Sequence, residues 1–124
     1  MLKKILIVED DSDILEILTY ILESDGYEVV QSEDGQACEH LLKILPDLIL
    51  MDIRLKPPGQ NGDMICLRLK SKSSTRCFPV LLLSAEMGLQ ALSKACGADG
   101  FISKPFDLGV LKEKVHEIIH RPNL

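Results

Sequence analysis

A chain of 124 residues is sized for one domain that buries roughly two-thirds of its unfolded surface. Its net charge of -5, with basic residues scattered along the chain, leaves no electrostatic footprint for nucleic acid or an anionic membrane. With 46% hydrophobic residues, two Tyr, three Phe and no Trp, the core must be aliphatic, which favours helices packed on a sheet.

The chain opens on Met1-Leu2-Lys3-Lys4 and the apolar run Ile5-Leu6-Ile7-Val8. That run is too short for a signal-peptide core or a membrane span, so the chain is expected to be cytoplasmic. It reads instead as a strand covered on both faces, ending at Glu9-Asp10-Asp11. Asp11 or Ser12 can cap a helix in which Ile14, Leu15, Ile17, Leu18, Ile21 and Leu22 recur at helical spacing, with Gly26 as the stop. Tyr27 to Gln31 is a more polar strand, as expected of a sheet edge. Asp34-Gly35 then opens a helix carrying Ala37, Cys38, Leu41 and Leu42, closed by Pro46.

The run Leu48-Ile49-Leu50-Met51 stops on Asp52, a buried strand opening to solvent on a carboxylate. After the turn Pro57-Pro58-Gly59, Asn61-Gly62 starts a helix through Met64, Ile65 and Leu69 into the polar stretch Lys70 to Arg76. Phe78 to Leu83 is the fourth strand, ending at Ser84, and a small helix from about Met87 to Cys96 stops at Gly97. Gly100 to Ser103 is the fifth strand, ending at Lys104-Pro105. Asp107 caps a last helix with Leu108, Leu111, Val115, Ile118 and Ile119 on one face, and Pro122 ends it. Cys38, Cys66, Cys77 and Cys96 show no C-x-x-C pairing and read as buried free thiols. His40, His116 and His120 read as solvated, on polar helix faces.

Strand and helix alternate five times, which predicts an α/β fold: a doubly wound parallel sheet with helices on both faces. Ligands of such sheets bind beyond the carboxyl ends of the strands. There the first strand delivers Glu9 and Asp10, the third Asp52, the fourth Ser84 and the fifth Lys104. Each alone has an ordinary reading, as a helix cap, a strand end or a surface residue. Together, carboxylates a few ångströms apart repel by roughly 4 kcal/mol per pair at an effective dielectric near 20, and so call for a cation or a shared proton. Mg²⁺, which takes one or two carboxylates plus waters and phosphate, suits Asp10 and Asp52, with Glu9 acting through water. With Lys104 and the Ser84 hydroxyl added, the set reads as a phosphoryl site. Asp52 is then either a nucleophile that forms an acyl phosphate or a metal ligand beside a phosphoester cut by water.

The motifs Ile-Leu-Ile-Val-Glu-Asp-Asp, Leu-Ile-Leu-Met-Asp52, Ser84-Ala85, Gly97-Ala98-Asp99-Gly100 and Lys104-Pro105-Phe106 jointly resemble those of response-regulator receiver domains, over almost the whole chain. The resemblance implies the flavodoxin-like strand order 2-1-3-4-5, an order known for receivers, and one receiver domain over residues 1–124 with no effector domain. It implies Asp52 as phosphoacceptor, Glu9 and Asp10 as the acidic pair at Mg²⁺, and Arg54 as a metal ligand through its backbone carbonyl. Ser84 and Phe101 fall at the switch hydroxyl and switch aromatic, and Lys104 at the phosphate-binding lysine, its bond to Pro105 cis. Arg54 and Glu86 fall at positions that tune acyl-phosphate lifetime, where a pairing between them is expected. The implied partners are a sensor histidine kinase or phosphotransfer protein and an output protein, with no nucleic acid or membrane, in a monomer or a phosphorylation-linked dimer.

On this reading the chain is a phosphoacceptor of a two-component phosphorelay and not an enzyme. The loop Lys56 to Gln60 is longer, and the stretch from Ser84 to Gly97 shorter, than the family's usual pattern. The alternatives are a phosphorylation-independent binding module and a metal-dependent phosphohydrolase. The hydrolase is disfavoured because Asp52 is followed by Ile53-Arg54 rather than by the Asp-x-Asp of haloacid-dehalogenase-like enzymes. A nucleotide binder is disfavoured because Glu9-Asp10-Asp11 would repel a phosphate after the first strand.

Overall fold

The computed structural model describes residues 2–55, 61–85 and 88–121. In chain order the elements are β1 (Lys4–Val8), α1 (Ser12–Ser24), β2 (Glu28–Ser32), a 3₁₀ helix (Gly35–His40) running into α2 (Leu41–Ile44), β3 (Leu48–Asp52), α3 (Gly62–Ser71), β4 (Val80–Ser84), α4 (Leu89–Cys96), β5 (Gly100–Ser103) and α5 (Leu108–Ile119). All five strands are parallel, in the order β2-β1-β3-β4-β5. The predicted doubly wound sheet is therefore the observed one, with the polar β2 at an edge.

Alternation along the strands divides the core in two. Ile5, Ile7, Leu48, Leu50, Leu81, Leu83 and Ile102 face α1 and α5, meeting Leu15, Leu18 and Leu22 from the one and Leu111, Val115 and Ile118 from the other. Leu6, Val8, Ile49, Met51, Val80 and Leu82 face the opposite side, against Leu41, Ile65, Cys66, Leu69 and Cys96. Every residue of β3 and β4 is buried, which is why those runs are continuously apolar rather than alternating.

Local chemistry sets the helix ends. The Asp11 carboxylate accepts from the Asp13 and Ile14 amides and caps α1, and the Asp107 carboxylate caps α5 through the Gly109 amide. Gly97 ends α4 at φ +79°, a conformation that glycine adopts without steric cost.

Three stretches differ from expectation. The helix expected after Asp34 is a 3₁₀ segment followed by a single α turn. Beyond Cys38 and Leu41 it has little to bury, and Pro46 bars Leu45 from the helix, leaving it left-handed at φ 51°. The polar tail expected on α3 is not helical past Ser71: the Ser71 hydroxyl donates to the Leu67 carbonyl (2.6 Å) and the buried Thr75 hydroxyl to that of Leu69 (2.7 Å), so side chains take over the helix's last acceptors. Cys77 is exposed, unlike the other three cysteines, because it precedes β4 in that turn rather than lying inside an element. The loop 56–60, Glu86 and Pro122 lie outside the described residues. Among the described residues no helix is long and apolar enough to cross a membrane.

Candidate phosphoryl site

Strand register brings the predicted residues together. Val8 pairs with Met51, Asp52 with Leu83, and Ser84 with Ser103, so Glu9, Asp52, Ser84 and Lys104 leave the sheet together at the carboxyl ends of its strands. The backbone continues the ladder one step further, the Glu9 amide donating to the Ser32 carbonyl (2.9 Å) and the Lys104 amide to the Ser84 carbonyl (2.9 Å). These bonds fix where each side chain starts.

Glu9, Asp10 and Asp52 each offer a carboxylate oxygen within 4.8 Å of the others. Glu9 is 1% exposed and Asp52 7%, while Asp10 is half-buried. The Lys104 ammonium bridges the two buried acids, donating to Glu9 Oε2 at 3.1 Å and to Asp52 Oδ1 at 3.4 Å. Glu9 Oε1 accepts from the Asp11 amide at 3.2 Å, so one helix start holds both the cap and this carboxylate.

Burial and the neighbouring Glu9 charge push the Asp52 carboxyl up to about 7, against a smaller opposing pull from Lys104. Burial works against the Lys104 ammonium, but Asp52 and Glu9 outweigh it and raise its pKa above the usual 10.5. The acids hold Lys104 protonated, while Lys104 only partly offsets what burial and Glu9 do to Asp52.

An open cleft of about 390 Å³ runs over the cluster, lined by Glu9, Asp10, Asp52, Arg54, Ser84 and Lys104 among others. Ser84 is buried in its wall, and the exposed Arg54 stands at its rim. Phe101 stands apart from the carboxylates: it is half-buried and packs on the core shared by α2, α3 and α4. The Arg54–Glu86 pairing falls outside the described residues because Glu86 does. His40, His116 and His120 are all exposed and line no part of this cleft.

The donor set fits Mg²⁺. An octahedral ion with oxygens at about 2.1 Å spans roughly 4.2 Å between opposite ligands, so oxygens within 4.8 Å need only a small side-chain adjustment to converge. The cleft leaves room for water and for a phosphoryl group beside them.

Gly62 was legible in the sequence only as a helix start. It packs on the Asp52 backbone, and its amide donates to the Ile53 carbonyl at 2.6 Å. A β-carbon there would lie 2.7 Å from Met51 Cγ and 2.9 Å from the Asp52 carbonyl carbon, so the first turn of α3 seats the end of β3 through a residue without a side chain.

The family model "Response regulator receiver domain" matches residues 5–116. The phosphate regulon transcriptional regulatory protein PhoB of Escherichia coli (strain K12) is 36% identical over 124 residues, covering 98% of this chain and 53% of that protein. The chain thus spans about half the length of the curated relatives it matches. Among solved structures, a candidate response regulator from Chloroflexus aurantiacus J-10-fl superposes with a TM-score of 0.89 at 31% identity, covering 98% of this chain and 100% of that one. The receiver domain of the sensor histidine kinase PA1611 from Pseudomonas aeruginosa PAO1, solved with a magnesium ion coordinated in its active site cleft, gives a TM-score of 0.84 at 28% identity, covering 96% and 98%.

Proposed function

Because the chain belongs to the response regulator receiver domain family, we propose that it accepts a phosphoryl group on Asp52 from the phosphohistidine of a sensor kinase or phosphotransfer protein, and so switches a protein-binding surface. The observation that carries this reading is the convergence of Glu9, Asp10 and Asp52 with the Lys104 ammonium bridging two of them.

Asp10, Asp52 and the Arg54 backbone carbonyl, with Glu9 directly or through water, would hold Mg²⁺, which when bound neutralises charge on the phosphoryl oxygens. The reaction itself needs little else from the protein. A carboxylate oxygen of Asp52 attacks phosphorus while the phosphorus–nitrogen bond breaks; the imidazole nitrogen keeps the electron pair and takes a proton from solvent. Lys104 is already within 3.4 Å of Asp52, so it can transfer its donation from the carboxylates to a phosphoryl oxygen with little movement. The Ser84 hydroxyl, on the neighbouring strand end, supplies a second donor. Drawing Ser84 inward biases the packing of Phe101, and with it the surface that an output protein reads.

The test is the intact mass of the chain after incubation with acetyl phosphate, with and without Mg²⁺, for the native protein and for Asp52→Asn. A single Mg²⁺-dependent phosphoryl adduct, absent from the variant, is expected. Absence of an adduct together with absence of Mg²⁺-dependent beryllofluoride binding would overturn the reading in favour of a phosphorylation-independent binding module.

A further inference from the structure

Helix α5 carries a second set of side chains of the types that ligate metals, apart from Glu9, Asp10 and Asp52. Its last turns read His116-Glu117-Ile118-Ile119-His120, preceded by Glu113. A histidine pair separated by four residues on a helix, with a glutamate after the first, is a zinc-binding pattern because both imidazoles project from one face. The pattern alone is short enough to arise by chance. The structure adds the geometry: α5 is helical through Ile119, and the His120 amide still donates to the His116 carbonyl at 3.0 Å, which holds the pair in register. The two rings lie with centroids 4.2 Å apart, tilted by 40°. Both are exposed, as are Glu113 and Glu117, which share the arc of the helix at spacings of three, four and seven residues. The apolar residues Leu111, Val115 and Ile118 take the opposite face into the core, so the histidine stripe is not needed for packing.

We propose that His116 and His120 chelate a borderline divalent transition ion, Zn²⁺ being the one this donor set suits best. Imidazole prefers Zn²⁺, Cu²⁺ or Ni²⁺ over hard cations, and two nitrogens each about 2.0 to 2.1 Å from one ion put the ring centroids roughly 4.5 to 5 Å apart, so rings now 4.2 Å apart need only swing slightly open to share it. Mg²⁺ makes the opposite choice and goes to the carboxylates, so an excess of Mg²⁺ occupies Glu9, Asp10 and Asp52 while leaving the imidazoles to Zn²⁺. Among the described residues, Glu9, Asp10 and Asp52 form the one group of three or more ligating side chains whose atoms converge. At the histidine pair the ion therefore takes two protein ligands and completes its shell from water, with Glu113 and Glu117 adding negative charge nearby. Such a site sits on an open helix face beside a groove of about 610 Å³ lined by Asp25, Tyr27, Lys112, Glu113, His116 and Glu117. Its effect is to clamp the last turn of α5, not to catalyse.

The experiment is calorimetric titration of the full chain with Zn²⁺ in excess Mg²⁺, on the native protein and on His116→Gln, His120→Gln, Asp52→Asn and Cys77→Ser. One Zn²⁺ per chain is expected, weakened at least about tenfold in each histidine variant, since even outer-shell changes have effects of that size. Asp52→Asn and Cys77→Ser should bind like the native chain, and the imidazole proton resonances of His116 and His120, but not His40, should shift on titration. Absence of saturable binding, undiminished binding in the histidine variants, or loss in Asp52→Asn or Cys77→Ser would each overturn the proposal. None of these outcomes depends on phosphorylation.

Discussion

Replacing Asp52 by Asn should make the metal-free protein more stable, and by an amount that depends on pH. The folded carboxyl titrates at about 7, whereas in the unfolded chain it titrates near 3.8. Between those values the folded state binds a proton that the unfolded state has released. Stability then falls as pH rises through this window, because the state that holds more protons is penalised by their removal. Below about pH 4 both states are protonated and nothing is lost; above about pH 7 both are ionised and the full penalty applies. The interval from 3.8 to about 7 corresponds to an upper limit of about 4 kcal/mol.

Asn cannot ionise, so it escapes this penalty, but it leaves Lys104 with Glu9 as its remaining close carboxylate. We therefore expect a net gain of about 2 kcal/mol at pH 8, or roughly 8 °C in melting temperature for a domain of this size. Thermal or urea melts of both proteins in chelator, from pH 4 to pH 8, test the argument. The difference should be small at pH 4, grow up to about pH 7 and then level off. Added Mg²⁺ should raise the stability of the native chain by mass action and narrow the gap, since the variant has lost a ligand. A difference that is independent of pH, or a variant less stable than the native chain at pH 8, would refute the assignment of strain to a buried, crowded Asp52.

Three further substitutions probe how the rest of the fold is held together. Gly62→Ala forces a methyl group against the Asp52 backbone, which cannot yield as a flexible side chain would; a loss of about 2 kcal/mol in denaturant melts is expected, with slower phosphorylation by acetyl phosphate. At the other end of the sheet the Lys70 ammonium donates to the Phe78 carbonyl (2.8 Å), the Arg76 carbonyl (3.1 Å) and Asp99 Oδ2 (2.8 Å), and Asp99 Oδ2 also accepts from the Val80 amide (2.8 Å). Lys70→Met strips three acceptors at once and should lower stability by roughly 2 to 3 kcal/mol, whereas Asp99→Asn, which keeps an acceptor for Val80, should lose less. Equal effects of the two would show that the carbonyl contacts carry no weight. The Arg121 contact to the same aspartate, at 3.7 Å with Arg121 half exposed, should be worth under about 1 kcal/mol.

The elements that the sequence made plain are those whose pattern has one physical interpretation. A run such as Leu48 to Met51 is too apolar for an exposed strand and too short for a buried helix, and α1 repeats its apolar residues at a spacing no strand can use. Once five such strands alternate with helices, parallel pairing places all their carboxyl ends on one side of the sheet, so Glu9, Asp10, Asp52 and Lys104 could be gathered before any coordinates. What stayed hidden depends on competition between nearly equal local choices. The segment from Gly35 to Leu45 has enough apolar residues to touch the core but too few for a full amphipathic helix, and serine and threonine hydroxyls end α3 where charge pattern alone would continue it. Partner choice was equally invisible: that Lys104 lies closer to Glu9 than to Asp52 follows from side-chain reach across two strands, which no spacing along the chain records.

That pairing also explains why the cluster is both costly and useful. Three carboxylates against one ammonium leave two negative charges uncompensated when all are ionised, in a place where two of the acids are buried. The fold tolerates this because the positions are imposed by β1, β3 and β5, whose apolar residues bring far more stability than the site removes. The uncompensated charge equals that of one divalent cation, so the residue set is complementary to Mg²⁺ in charge as well as in donor type. A Glu rather than an Asp at position 9 has the reach to hold Lys104 at 3.1 Å while its other oxygen stays with the Asp11 amide. In the proposed reaction the incoming phosphoryl group converts Asp52 from carboxylate to acyl phosphate and offers Lys104 a better acceptor. In that proposed reaction the ammonium that now relieves the strain would shift its donation from Glu9 and Asp52 to the phosphoryl oxygens, which links the resting ion pair to the phosphorylated state.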